Sequence, residues 1–261
     1  MPGIILFGDG IGLEALLPLL PSGRLAALVG AANRPQYQPD IEKLANSLRV
    51  PYLLHPPESA PAYADFERSL LELRPDLLLV YSYSMRIPDR IIAAPAIAAI
   101  NIHGGPLPEY RGCNPIQWSI ATGDNLAGAS MHLLSREFDA GPLLSQRRTT
   151  IDVEETWAQV SRRVHALAIQ LAADMMPDLL RGEINPTPQD ESLARHWPRR
   201  RAVDSAIDWA RPCKEIYDLI RASVSPLPGA FYRDGDGRKV VLDKFMPLSE
   251  VVRRKLEIMP Y

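Results

Sequence analysis

The sequence contains little of what marks several common classes of protein. Only two of its 261 residues are cysteines, Cys113 and Cys213, which is too few for a disulfide scaffold. Its 29 basic and 31 acidic side chains give a formal net charge of −2. A protein whose main task is to hold nucleic acid phosphate usually carries a basic excess, so we do not expect a nucleic acid partner.

The sequence also lacks membrane and export signals. No run approaches the roughly 18 uninterrupted apolar residues of a membrane-spanning helix. The start of the chain, Met1–Gly8, has no basic region ahead of its short apolar stretch, so we do not interpret it as a signal peptide. Hydrophobic residues at 46% and charged residues at 23% are typical of a globular chain. We therefore expect a cytoplasmic protein without a membrane partner.

Short apolar runs alternate with amphipathic segments over the first 180 residues. The runs Asp76–Tyr81 and Ala98–His103 are typical of strands that are covered on both faces. In Glu154–Arg181 the apolar residues recur every three or four positions, which predicts a long amphipathic helix. This alternation predicts an α/β fold, with a Rossmann-like, mostly parallel sheet and helices on both faces.

The pattern changes after the long helix. Residues 183–203 have little apolar periodicity and contain three prolines. We therefore predict a main domain over residues 1–185, a linker over 186–203, and a small α+β appendage over 204–261 that forms an incomplete barrel. In the appendage, the turn Asp234–Gly237 between two strand-like runs predicts a β-hairpin within Phe231–Phe245. Whether this hairpin supports a homodimer stays open.

A glycine-rich turn, Gly8–Gly12, connects the first predicted strand to a helix. Such turns can hold a phosphate, but the spacing here is G-x-G-x-G and not G-x-G-x-x-G. The second strand carries no acidic residue placed for a ribose, and Asp9 would repel a pyrophosphate. We interpret the segment as a tight turn. A dehydrogenase or another nucleotide-binding module built on it is the alternative.

Asn101 and His103 are the strongest chemical signal. Alternate residues of a strand share a face, so both side chains point the same way at the carboxyl end of a predicted strand, where open α/β sheets bind ligands. An amide can hold a developing oxyanion and an imidazole can move a proton, which suits acyl transfer. Asp139 follows a later strand and would orient His103 if the two meet. Its alternative role is to cap a turn. His132, mid-strand, is interpreted as a packing or surface residue.

Several motifs occur together with these residues. They are Asn101–His103, Pro106–Pro108, Tyr110–Gly112, Pro115–Trp118, Gly123–Asp124 and Phe138–Gly141. In this order and at this spacing they resemble the N10-formyltetrahydrofolate-dependent formyltransferases, and the resemblance spans roughly residues 1–231. It implies an enzyme whose catalytic domain is the main domain and whose formyl donor is N10-formyltetrahydrofolate, with no metal.

The resemblance also assigns roles by position. Asn101, His103 and Asp139 match the catalytic triad of the family. The residues that match its folate-binding segments are Met85, Arg86, Ile87, Gly105, Pro106, Leu107, Pro108, Ser135, Arg136, Glu137 and Phe138. Gly105–Pro106 replaces the more usual Ser-Leu of the family, which removes a hydroxyl from the folate-contacting loop.

The formyl acceptor is expected to be a nucleotide-linked amino sugar. Ala32–Asp40 holds one arginine and no lysine, unlike the basic insertion of the methionyl-tRNA formyltransferases. Arg199, Arg200 and Arg201 resemble a segment of the bacterial enzymes that formylate UDP-aminoarabinose, and arginine suits a diphosphate. A solvated charge run in a linker is the alternative. A methionyl-tRNA formyltransferase, a formyltetrahydrofolate hydrolase and a non-catalytic nucleotide- or folate-binding module also stay open as functions.

Overall fold

The computed structural model describes residues 3–259, with Ile11 described by its backbone alone. The chain forms two compact units. The first holds the residues up to His103, with Ser130–Gln146 and Ala168–Asp190. The second holds Gly104–Ala129, Arg147–Leu167 and the residues from Glu191 onward. Within residues 3–259, no helix combines the length and the apolar character needed to cross a membrane.

The strands and helices have the following bounds. The strands are β1 (Ile4–Gly8), β2 (Leu25–Ala31), β3 (Tyr52–His55), β4 (Leu77–Tyr81), β5 (Ala98–His103), β6 (Arg111–Gly112), β7 (Leu126–Leu133), β8 (Leu143–Thr150), β9 (His196–Trp197), β10 (Ala230–Arg233) and β11 (Lys239–Leu242). The α-helices are α1 (Ile11–Leu16), α2 (Gln38–Leu48), α3 (Tyr63–Glu72), α4 (Asp89–Ile92), α5 (Pro115–Ala121), α6 (Trp157–Arg181), α7 (Cys213–Arg221) and α8 (Leu248–Ile258).

The first unit is built on a mostly parallel sheet. Its strand order is β3-β2-β1-β4-β5-β7-β8. The first five of these strands are parallel to one another, and β7 runs antiparallel to β5. Every residue of β1 and β4 is buried, as expected for parallel strands covered on both faces. The predicted Rossmann-like sheet is therefore confirmed.

Helices cover both faces of this sheet. Ile5, Phe7 and Val29 belong to one apolar cluster with Phe66 and Leu70 of α3. Gly30 follows Val29 and so points to the opposite face. A Cβ placed on Gly30 would lie 3.3 Å from the Cδ1 atom of Ile41, in α2. The two sides of the sheet are thus packed by α3 and α2 respectively.

Helix α6 begins three residues later than its apolar spacing predicts. Thr156 precedes the helix, and both its backbone N–H and its hydroxyl donate to Oε1 of Gln159, at 2.9 and 2.8 Å. A side chain at the third helical position that accepts from the cap residue is half of a capping box. This local hydrogen bonding, and not the apolar pattern, determines that the helix starts at Trp157.

The second unit has its own apolar core. Its buried members include Trp209, Ile216 and Ile220, together with Leu242 of the hairpin and Val251 of α8. The predicted hairpin is confirmed, because β10 and β11 pair in antiparallel register from Ala230–Leu242 to Arg233–Lys239.

Two features of the second unit differ from the expectations. Helix α8 was not predicted. The segment predicted as a linker contains β9, which pairs with β6 in register Arg111–His196. Two-residue strands carry no periodicity, so only the fold reveals them. The domain boundaries given above remain a prediction.

Candidate active site

Asn101 and His103 lie at the carboxyl end of β5. Asn101 is half-buried and His103 is buried, with 7% of its surface exposed. Between them Ile102 is buried in the sheet. Asn101 is paired with Val80 of β4 on one side and with His132 of β7 on the other. The alternation expected from the sequence therefore places the amide and the imidazole at this edge of the sheet.

Asp139 joins these two residues. Its Oδ1 atom accepts a hydrogen bond from Nδ2 of Asn101 at 3.3 Å and lies 3.6 Å from Nδ1 of His103. The backbone of Asp139 is left-handed, with φ of 54°, a conformation that aspartate tolerates better than most residues. Gln189 holds this loop by donating to the carbonyl oxygens of Asp139 and Gly141, at 2.8 and 2.7 Å.

Gly141 lets the loop fold back against β7. A Cβ on this residue would overlap the carbonyl oxygen of Leu133. Any larger residue would push the loop away from the strand, and Asp139 lies only two residues earlier. The absence of a side chain at Gly141 therefore allows the loop to place the Asp139 carboxylate next to β5.

His132 completes the cluster, and its interpretation as a packing or surface residue was incomplete. The side chain is buried, but its Nε2 atom lies 3.1 Å from Nδ2 of Asn101 and 3.4 Å from Oδ1 of Asp139. Its Nδ1 atom lies 2.8 Å from the carbonyl oxygen of Leu133. Because a carbonyl only accepts, Nδ1 carries a proton, and in that tautomer Nε2 can accept from Asn101. The amide nitrogen of Asn101 is thereby fixed towards Asp139 and His132.

The predicted folate-binding segments lie in different parts of the chain. Met85–Ile87 follows β4 in the first unit, with Met85 half-buried, Arg86 exposed and Ile87 buried. Ser135–Phe138 leads into Asp139 in the same unit. There the hydroxyl of Ser135 donates to the carbonyl of Glu137 at 2.8 Å. Phe138 is 60% exposed, and Arg136 and Glu137 are exposed as well. Gly105–Pro108 is buried and belongs to the second unit.

The three arginines within the predicted linker, Arg199 to Arg201, belong to the second unit and differ in exposure. Arg199 and Arg201 are exposed, whereas Arg200 is half-buried. The Arg200 guanidinium lies 4.8 Å from the centroid of the Trp118 ring and donates to the carbonyl of Asp204 at 2.7 Å. Burial lowers the pKa of Arg200. Of the three, Arg200 is therefore already engaged within its own unit.

A comparison with known families identifies the chain. A family model described as formyl transferase matches residues 31–176, more than half of the 261 residues. The chain belongs to the formyl transferase family. The matched region contains the cluster of Asn101, His103, His132 and Asp139, so the polar centre at the end of β5 lies within the part of the chain that defines this formyl transferase.

Solved structures share the fold of this formyl transferase. A sugar N-formyltransferase from Shewanella sp FDAARGOS_354 matches with a TM-score of 0.78 and 20% identity, over 95% of this chain and 98% of that one. A 4-N formyltransferase from Francisella tularensis matches with a TM-score of 0.77 and 19% identity, over 94% and 98%. WlaRD, a sugar 3N-formyl transferase determined in the presence of dTDP and 5-N-formyl-THF, matches with a TM-score of 0.68 and 15% identity, over 88% and 82%.

Proposed function

We propose that this enzyme transfers a formyl group from N10-formyltetrahydrofolate to the primary amine of a nucleotide-linked amino sugar. The observation that carries the proposal is the convergence on one carboxylate oxygen. Asn101, His103 and His132 all place a side-chain nitrogen within 3.6 Å of Oδ1 of Asp139. In a chain of the formyl transferase family, these are the groups that formyl transfer to an amine requires.

The residues of the first unit fit a folate donor. When bound, the folate supplies the formyl carbon that the acceptor amine attacks. The exposed Phe138 ring, one residue before Asp139, offers an aromatic surface to a flat heterocycle. The relative WlaRD, determined in the presence of 5-N-formyl-THF, supports the same assignment. We therefore assign donor binding in this unit to Met85–Ile87 and Ser135–Phe138.

Asn101 stabilises the negative oxygen that develops during attack. Its amide nitrogen lies 3.3 Å from Oδ1 of Asp139 and 3.1 Å from Nε2 of His132, and the first of these is longer than a normal hydrogen bond. That weaker bond is exchanged at low cost for a bond to the oxyanion, where the growing charge makes it stronger. His132 keeps the amide nitrogen turned the right way and so acts as a positioning residue.

His103 moves the proton that the amine loses. Neutral imidazole accepts it and later donates it to the leaving folate nitrogen, which is general base and then general acid catalysis. Asp139, 3.6 Å from Nδ1 of His103, stabilises the charged ring in between.

An acceptor screen tests the proposal. The enzyme is incubated with N10-formyltetrahydrofolate and a panel of UDP- and dTDP-linked 3-amino and 4-amino sugars, and formylated products are measured by mass spectrometry. We expect one or more of these amines to be formylated, with an equal amount of tetrahydrofolate released. Equally fast release without any amine would instead identify a hydrolase, and formylation of methionyl-tRNA alone would identify a tRNA enzyme.

A further inference from the structure

The turn after β1 holds a buried carboxylate with no role in the reaction described above. Asp9 is only 9% exposed, and its Oδ1 atom has no hydrogen-bond partner among residues 3–259. Oδ2 lies 3.7 Å from Nε of Arg34, beyond hydrogen-bonding distance. Burial raises the pKa of Asp9, while hydrogen bonding by Ser84 and by the backbone of Ala31 and the charge of Arg34 oppose that rise. A buried carboxylate oxygen without a hydrogen-bond partner costs stability, so the unpaired Oδ1 atom is an observation that a ligand would explain.

Other polar side chains surround this turn. β2 and β4 are the two neighbours of β1, and Ser84, after β4, donates to Oδ1 of Asn33, after β2, at 2.7 Å. This hydrogen bond therefore crosses the carboxyl end of β1. The Tyr37 ring lies against Gly10, where an added Cβ would be 3.3 Å from the ring, and Tyr37 is 39% exposed.

This cluster lies on the same edge of the sheet as the catalytic residues. Gly8 of β1 pairs with Tyr81 of β4, which pairs in turn with Ile102 of β5. Neighbouring strands are about 4.8 Å apart, so Asp9 follows a strand end roughly 10 Å from β5. A sugar whose amine reaches His103 can span that distance.

We infer that Asp9, Asn33, Arg34, Tyr37 and Ser84 form a subsite that binds hydroxyl groups of the acceptor sugar. Sugar hydroxyls supply the donors that a carboxylate requires, the Arg34 guanidinium supplies donors in return, and the Ser84 hydroxyl oxygen can accept. Tyr37 adds the apolar ring against which a sugar face packs. A diphosphate does not fit here, because the Asp9 carboxylate repels it. The inference rests on the proposed function, since the acceptor is taken to be a sugar.

Kinetics of D9N and S84A test the subsite, with D65N as control because Asp65 is an exposed aspartate of α3 in the same unit. With the best amino sugar of the screen, the acceptor KM of D9N should rise at least tenfold and that of S84A severalfold. The KM for N10-formyltetrahydrofolate should stay within about twofold of wild type, and D65N should match wild type throughout. An unchanged acceptor KM in both variants, or an equal rise in the folate KM, overturns the inference.

Equilibrium binding separates this inference from the proposed function. The affinity of UDP-4-amino-4-deoxyarabinose is measured by calorimetry without folate, for wild type and D9N. Binding to D9N that is at least tenfold weaker than binding to wild type supports the subsite. It does so even if the screen shows no formyl transfer, because that result would contradict only the proposed function. Equal binding to both proteins, or no binding to wild type, overturns the subsite. The affinity of D9N for inorganic pyrophosphate is measured as well. If D9N binds pyrophosphate more tightly than it binds the amino sugar, the turn is an anion site and not a subsite for sugar hydroxyls.

Discussion

At the scale of single residues, His132 shows how a side chain with no sequence signature acquires a role. Its position in the middle of a strand indicated a packing or surface residue, and the structure shows it buried. Its contact with Asn101 follows from the β5–β7 register, in which the two residues face each other. That register joins segments about 30 positions apart and has no local signal. In the proposed mechanism, this contact orients the amide that stabilises the oxyanion.

Replacing His132 with Phe should lower kcat at least tenfold, because Asn101 loses the acceptor that orients it. The KM for N10-formyltetrahydrofolate should change little. H132Q, whose amide can both accept from Asn101 and donate to the Leu133 carbonyl, should recover much of the activity. Steady-state kinetics compare kcat and KM of both variants with wild type, and thermal unfolding checks that both variants are folded. A wild-type kcat for H132F would exclude the positioning role.

His55 predicts a pH dependence of stability. Its ring is buried at 1% exposure, stacks on Phe66 with centroids 4.6 Å apart, and bonds Tyr83 through Nδ1 at 2.7 Å. Burial lowers the pKa of His55 to about 4 from an ordinary value of 6.5. The unfolded chain therefore binds more protons between pH 6.5 and 4, so the free energy of unfolding falls as the pH drops through that window. The full contribution, about 3 kcal/mol, is present above pH 6.5.

Urea unfolding at pH 7.5 and pH 5 measures this dependence. H55Q should be less stable than wild type at pH 7.5, because packing is lost, yet it should lose less stability than wild type between the two pH values. The variant H196Q provides the control, since His196 is an exposed histidine on β9. If H55Q and wild type lose the same stability on acidification, His55 is not the titrating group.

At the scale of elements, the strands and helices with strong apolar periodicity were predictable. The buried strands β4 and β5 and the helix α6 repeat their patterns over enough residues to be recognised. Helix α4, with four residues, and the pair β6–β9, with two residues each, are too short to show a period. The conformations of loops depend on contacts that no periodic pattern predicts. The close approach of Gly141 to the backbone of Leu133 in β7 is an example.

The loop between β7 and β8 gives a prediction at this scale. G141A should reduce kcat/KM at least a hundredfold, because the added Cβ displaces Asp139 from His103, and misplacement by about 1 Å can cost that much. G235A is the matched control, since nothing lies within 4 Å of a Cβ on Gly235 in the hairpin turn. Circular dichroism should show both variants folded. Full activity of G141A would mean that the loop does not position the carboxylate.

At the scale of the whole molecule, local rules predicted the sheet and the placement of two of the three proposed catalytic residues. Asn101 and His103 share a face because strands alternate, and parallel strands bring their carboxyl ends to one edge. Asp139 needed more than these rules. The position of its carboxylate beside Asn101 and His103 depends on the antiparallel pairing of β7, on a left-handed backbone and on hydrogen bonds from Gln189, none of which a local sequence pattern predicts. The family resemblance supplied the link that periodicity could not.

The most direct test of the central claim is formyl transfer by wild type and H103A to the best amino sugar of the screen. The account predicts that H103A binds N10-formyltetrahydrofolate with a Kd within about threefold of wild type, while its rate of product formation falls at least a hundredfold, within the range for loss of a general base. H103A that formylates the sugar at the wild-type rate would contradict the account.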